Sequence, residues 1–451
     1  MTSALARPSW RRRADVDDGR DQKDGLKPSA IAQEETLPDI SNPIATPDQA
    51  AIERKAFEVL AHPLMRETIA EVRRSWPEQV KPSAEMMSCF DRAFEEVTYA
   101  AAIWSLNTDK ERPKVITITR LPHRLGGLDI PGSRWGIDNP DTVYRVIPIS
   151  GDERYVIGGK VGERRPVENY FSLWDPKMNS VAVLNGKDLI LEPDGRFTIT
   201  VDRDPASERP NHIQSTPAAH EFYIRDVVQD WARETINTLS IERLGPPPKK
   251  PPLTEDAQAE LTASFLRRYA ADTARWNNQT LQKPVNAFEF TIDRDTDGAQ
   301  RSQIYIMGHF KLDDDEALVV TLRTGGAAYF VVPITNWWGT TNAVNTRTGS
   351  LNKAQSIPNA DGTYSFVIST RDPGVHNWVD PCDLHEGILT LRWAEFENGV
   401  PGQDLGATSM VVKLSELRGI LPPETRFVSP DERRAQLKER EASYAWRLLE
   451  H

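Results

Sequence analysis

NPDTVYRVIPISGDERYVIGGKV, Asn139 to Val161, carries the period of two that replaces the helical one from Lys114 onward. Both arms, Thr142 to Ile149 and Arg154 to Val161, are rich in β-branched and aromatic residues, which suit a pleated surface. Ser150-Gly151-Asp152 between them is turn chemistry, so the pair reads as an antiparallel hairpin. The same pattern surrounds it at Lys114 to Thr119, Asn169 to Trp174 and Arg196 to Val201. EFYIRDVVQDW and NTLSIERLG have a spacing that would suit a helix, but their β-branched residues favour strands. Residues 111–250 are therefore expected to form a first β domain.

Working toward the C-terminus, PPPKKPPL, Pro246 to Leu253, blocks helix and ladder alike and marks a boundary. Thr254 can cap a connecting helix within 251–285, with Leu261, Phe265, Tyr269, Thr273 and Trp276 on one face. Period two resumes at Gln303 to Leu312, Ala317 to Leu322, Tyr329 to Ile334, Thr363 to Thr370, Ile388 to Phe396 and Ser409 to Leu414. Six short strands over 286–420 suggest a sandwich or jelly roll. Residues 421–451 end in a charged helix, Pro430 to Leu449.

Toward the N-terminus, Thr46 and Pro47 open a helical run through Ile52, Phe57, Leu60 and Leu64. Ser83 caps a second, whose stripe Met86, Phe90, Phe94, Val97, Ala101 and Trp104 reads as core packing. Residues 46–110 are thus a helical segment. Residues 1–45 are too polar to offset the entropy of ordering and are expected to be a disordered tail. The fold class expected is α+β, mainly β with added helices, built of antiparallel sandwich or jelly-roll domains.

The net charge of −11, with no basic stripe, argues against nucleic acid as a partner. No stretch of about 18 apolar residues offers a membrane span, and mean hydropathy is −0.53. No export signal is readable, and two distant cysteines, Cys89 and Cys382, suit free thiols in a reducing cytoplasm. The common phosphate, dinucleotide, zinc and nucleophile motifs are absent, and no cofactor is expected.

Three polar clusters remain. In Trp135 to Arg145, Asn139 and Asp141 around Pro140 suit a turn, whereas Tyr144 and Arg145 could hold an anionic ligand. In Thr335 to Asn352, Trp337 and Trp338 lie among amides as a platform for a flat or sugar-like ligand would, or as core-closing rings. In Asp372 to Trp393, His385 with Asp383 and Glu386 has the chemistry of proton transfer, and His376, Trp378 and Arg392 could contact a ligand. His376 and His385 lack compact ligand spacing, so no metal is expected.

NPDTVYR with the YVIGG strand, then SLN, DGTYSFVIS, DPGVHNWVD, HEG and RW, resembles in its order the pattern of the DUF 1214 family, a bacterial domain of unknown function, over Trp135 to Phe396. The resemblance implies a jelly-roll-like β domain with a helical N-terminal segment, and it carries no catalytic residue across. Three functions follow as expectations: a metabolic enzyme on a small organic or saccharide-like substrate, using His385 with Asp383 or Glu386; a non-catalytic ligand-binding module; or a structural homo-oligomer. The two β regions are expected to meet with their polar loops at a shared cleft.

Overall fold

The computed structural model describes residues 42–288 and 303–449. The expected tail, 1–45, lies outside these residues as far as position 41. The described chain opens with helices α1 Pro47–Leu60, α2 Pro63–Val80, α3 Ala84–Ser88 and α4 Phe90–Ser105. Thr46 accepts from the Gln49 amide as the cap of α1. The run through Leu64 is two helices rather than one, because Pro63 cannot donate within a helix and instead begins α2. The Met86–Trp104 stripe is likewise divided at Cys89, yet every residue of it is buried. Helix α5, Glu255–Leu281, is capped by Thr254 and packs along α2 and α4 through Ala259, Ala263, Leu266 and Tyr269.

The first β region is a sandwich. One sheet runs, in spatial order, Ile116–Thr117, Thr142–Pro148, Glu221–Val227, Glu168–Trp174 and Ser180–Asn185. The other runs Thr238–Leu244, Arg154–Lys160, Arg196–Asp202 and His212–Gln214. The two arms of the expected hairpin are therefore strands, but in opposite sheets. A period of two fixes which face is apolar, not which neighbour is paired. Gly151 permits the crossing, since a Cβ there would meet the Thr216 carbonyl oxygen at 1.9 Å. Ile147, Phe171, Phe222 and Ile224 pack across the sandwich against Tyr155, Ile157, Phe197 and Ile199.

The second β region is also a sandwich, of Ile304–Lys311, Glu386–Phe396, Ala327–Thr335 and Ser350–Asn352 over Trp378–Val379, Tyr364–Ile368, Glu316–Arg323 and Gly406–Lys413. Its core joins Ile306, Phe330, Leu389 and Trp393 to Leu318, Val320, Phe366 and Ile368. The architecture is α+β, and among the described residues there are four main sheets, mostly antiparallel, and no closed barrel.

The two sandwiches meet by their outer faces. Val227 of the first packs on Tyr329, Val331 and Ala394 of the second. Strands so covered are buried on both sides: all seven residues of Thr142–Pro148 and nearly all of Glu386–Phe396 are buried. Helices α1, α2, α4 and α5 close one side of this junction. After the short α6, Leu417–Ile420, helix α7, Pro430–Tyr444, returns along it, with Arg440 donating to the Val344 carbonyl and the Ser350 hydroxyl. Among the described residues no helix is long and apolar enough to cross a membrane.

Candidate functional site

Alternation along the junction strands decides what faces the gap between the sandwiches. Ile224 points into the first sandwich core, so Tyr223, Arg225 and Val227 point out of it. Tyr144 stands beside Arg225 in register, and Trp174 stacks on Tyr223 with ring centroids 4.0 Å apart. In the second sandwich Leu389, Leu391 and Trp393 point inward, leaving Thr390, Arg392 and Ala394 outward, with Arg392 opposite Tyr305 and Thr390 opposite Met307. Where Val227 meets Ala394 the faces touch. A few residues along the same strands they separate and enclose a cavity of about 390 Å³.

The helices supply the roof. Ala100 and Trp104 come from α4, Tyr269, Trp276 and Thr280 from α5, and Trp135 to Asp138 from the loop before the first junction strand. Trp135 stacks on Tyr269 with centroids 3.8 Å apart and planes 12° apart, and its indole N–H donates to the Tyr269 carbonyl at 3.1 Å. Trp104 donates to Glu221, whose carboxyl burial raises to about 6. Tyr144, Tyr269 and Arg392 are buried, whereas Met178, Trp276 and Lys283 are only partly covered and mark the side nearer solvent. Aromatic rings on several sides with a few polar groups among them is the lining expected of a small-molecule site.

Charge inside the cavity is mixed. Arg225 lies over the rings of Trp174 and Tyr223, at 5.7 and 4.9 Å from their centroids. Arg392 lies 5.2 Å from the Tyr305 centroid and donates to the Ile137 carbonyl. Asp138 accepts from the Thr341 amide and hydroxyl, and burial raises its carboxyl above the ordinary range. Tyr305 donates to Gln303 at 2.6 Å, and Gln303 in turn donates to Glu168 at 2.7 Å.

Of the residues singled out from the sequence, Tyr144 and Arg392 line this cavity. Asn139 and Asp141 lie just behind it: Asn139 donates to the Tyr329 hydroxyl at 2.9 Å, and Asp141 accepts from Trp231, Tyr329 and Asn352. Arg145, next to Tyr144 but of opposite parity, is 1% exposed and pairs with Asp226 at 2.6 Å. Trp338 is wedged under the helices against Trp76 and Phe90, donating to the Met86 carbonyl, and Trp337 packs against the same cluster. His376 and Trp378 sit beneath α7, where Trp378 donates to the Ser369 carbonyl and lies under Arg433.

His385, Asp383 and Glu386 are not brought together. Asp383 pairs with Arg347 at 2.6 Å, and Glu386 accepts from Ser83. His385 has a carboxylate on each ring nitrogen, Glu85 at 2.8 Å and Asp314 at 2.9 Å. These bonds, Asp314 first and then Glu85, raise its pKa, because carboxylates on both ring nitrogens favour the charged form.

Trp104, Trp135, Trp174, Tyr223, Arg225, Tyr269 and Tyr305 complete the lining and were not singled out as a site. A signal was present in the strand alternation: Tyr223 and Arg225, like Tyr305 and Arg392, place aromatic and guanidinium groups on the face opposite the sandwich core.

No family model and no curated protein matches the chain. Among solved structures, an uncharacterised protein from Burkholderia cenocepacia matches 80% of this chain and 99% of its own, with a TM-score of 0.68 and 22% identity, and so shares the fold. A protein of Vibrio parahaemolyticus matches 61% of this chain and 90% of its own at 13% identity and a TM-score of 0.36.

Proposed function

We propose that this chain binds a small organic molecule in the cavity between its two sandwiches. The observation that carries this reading is the departure from close packing. Elsewhere along the junction the outer faces fill with Val227, Tyr329, Val331 and Ala394, yet a few residues on they leave about 390 Å³ open among stacked rings. That volume lies within the range of small-ligand pockets. A binding function fits better than acid–base catalysis through His385, whose two ring nitrogens are both engaged by carboxylates away from the cavity.

Trp104, Trp135, Trp174 and Trp276 stand in the wall, so a planar ring has flat surfaces to pack on. Titration with indole, a neutral planar probe, by calorimetry tests the reading. Saturable binding is expected in the wild type, and Met307→Trp, which adds bulk from a partly covered strand position, should weaken it about tenfold or more while leaving unfolding cooperative. Equal binding by the variant would put the probe elsewhere and overturn the proposal.

A further inference from the structure

The floor of the cavity holds two polar atoms that bond to nothing among the described residues. Arg392 is 8% exposed, and its Nε has no hydrogen-bond partner; Thr390, 1% exposed, has none for its hydroxyl. The two side chains are two positions apart on one strand and share its outward face. No carboxylate among the described residues stands within ion-pair distance of Arg392, although the chain as a whole is strongly acidic, at −11. Its Nη2 is used by the Ile137 carbonyl, and one guanidinium face by Tyr305.

Burying a guanidinium with an unused donor and no counter-ion is costly unless something completes it. Arg225, on the facing sheet, adds a second positive charge to the cavity, and Lys283 a third toward its solvent side. Asp138 is the opposing charge in the lining, and it is already engaged by Thr341. The remaining walls are flat: Trp135 on Tyr269 and Trp174 on Tyr223 are two stacked pairs.

We propose that the ligand is a planar aromatic carboxylate, its ring against these aromatic walls and its carboxylate accepting from Arg392 and Thr390. This rests on the cavity being a ligand site. A carboxylate supplies the acceptor that Arg392 Nε lacks and the negative charge that the guanidinium lacks, which an uncharged ring cannot do. A neutral sugar would bring no charge to answer the Arg392 guanidinium, and a quaternary ammonium, although suited to aromatic cages, would meet Arg392 and Arg225 as like charges.

Three matched probes decide it, each titrated into the full chain by calorimetry: 2-naphthoate, 2-naphthamide and 2-naphthyltrimethylammonium. The carboxylate is expected to bind at least about tenfold more tightly than the amide, the scale of one charge-assisted hydrogen bond, and the ammonium more weakly than either. Arg392→Gln should weaken the carboxylate about tenfold and the neutral amide less, so that the gap between them closes, and Arg392→Lys should restore part of the preference. The wild-type comparison needs no variant, so a misfolded Arg392→Gln leaves the test intact. Equal binding of carboxylate and amide, or tighter binding of the ammonium, overturns the anionic ligand while the cavity reading stands. Binding of none of the three, with indole also silent, overturns both.

Discussion

Asp141 is wholly buried and accepts from the Trp231 indole at 2.7 Å, the Tyr329 hydroxyl at 2.7 Å and the Asn352 amide at 2.9 Å. Those donors come from three distant parts of the chain, so one carboxylate ties the first junction strand to both sandwiches. Arg447, from the C-terminal segment, closes the same knot by donating to the carbonyls of Pro140 and Asp141. In sequence the Asn-Pro-Asp cluster is explained by turn formation alone, and Asn139 does accept from the Asp141 amide as an Asx turn would. The donors at 188 and 211 positions' remove have no local signature. Asp141→Ala would strand three buried donors at once, and a loss of about 3 kcal/mol is expected in urea unfolding. A change below about 1 kcal/mol would mean the donors find other acceptors.

Strands and helices were legible where one face is apolar, because the alternation that packs a sandwich is the alternation written in the sequence. Thr142–Pro148, Arg154–Lys160 and Ala327–Thr335 fall within two residues of the runs expected for them. Pairing was not legible, since Thr142–Pro148 and Arg154–Lys160 part to opposite sheets. The cavity was hidden for a related reason: its rings are spread from Trp104 to Tyr305, and each resembles a core aromatic until two sheets are set face to face. Glu168, at the start of strand Glu168–Trp174, shows what such a double-faced strand can hold. Burial, with the charge of Glu395 next, raises its carboxyl from 4.5 to about 7. Between those values the unfolded chain has released the proton and the folded chain retains it, so this group makes stability fall as pH rises. The slope is about 1.4 kcal/mol per pH unit at most, and it ends once the folded carboxyl ionises. Glu168→Gln should therefore gain about 2 kcal/mol on the wild type between pH 5 and pH 7.5 in denaturant titrations. Parallel pH profiles for the two proteins would show that Glu168 is not the group responsible.

Across the described residues the two sandwiches, the helical layer and the C-terminal segment share their buried surfaces rather than abutting as separate bodies. Trp338 belongs by sequence to the second sandwich, yet its ring lies 4.6 Å from that of Phe90 beneath α4. Arg134, between strands Ile116–Thr117 and Thr142–Pro148 of the first sandwich, pairs with Glu96 of α4 and donates to the Thr341 carbonyl, between strands Ala327–Thr335 and Ser350–Asn352 of the second. Helix α5 covers α2 and α4 and also holds the Trp337 carbonyl through Asn277 at 2.8 Å. Pulling the sandwiches apart would uncover Trp338, worth about 3 kcal/mol by itself. It would also unpair the Asp141 donors and expose Tyr329, Val331 and Ala394. These losses fall on both halves together, so opening one without the other should be rarer than opening the whole. Native-state hydrogen exchange in low denaturant reads this directly. The slowest amides of Glu221–Val227, in the first sandwich, and of Glu386–Phe396, in the second, are expected to open with the same free energy and the same denaturant slope. Should one strand exchange through a distinctly smaller opening, with a shallower slope, the sandwiches unfold separately. In that case the cavity between them would be lost before the fold of either.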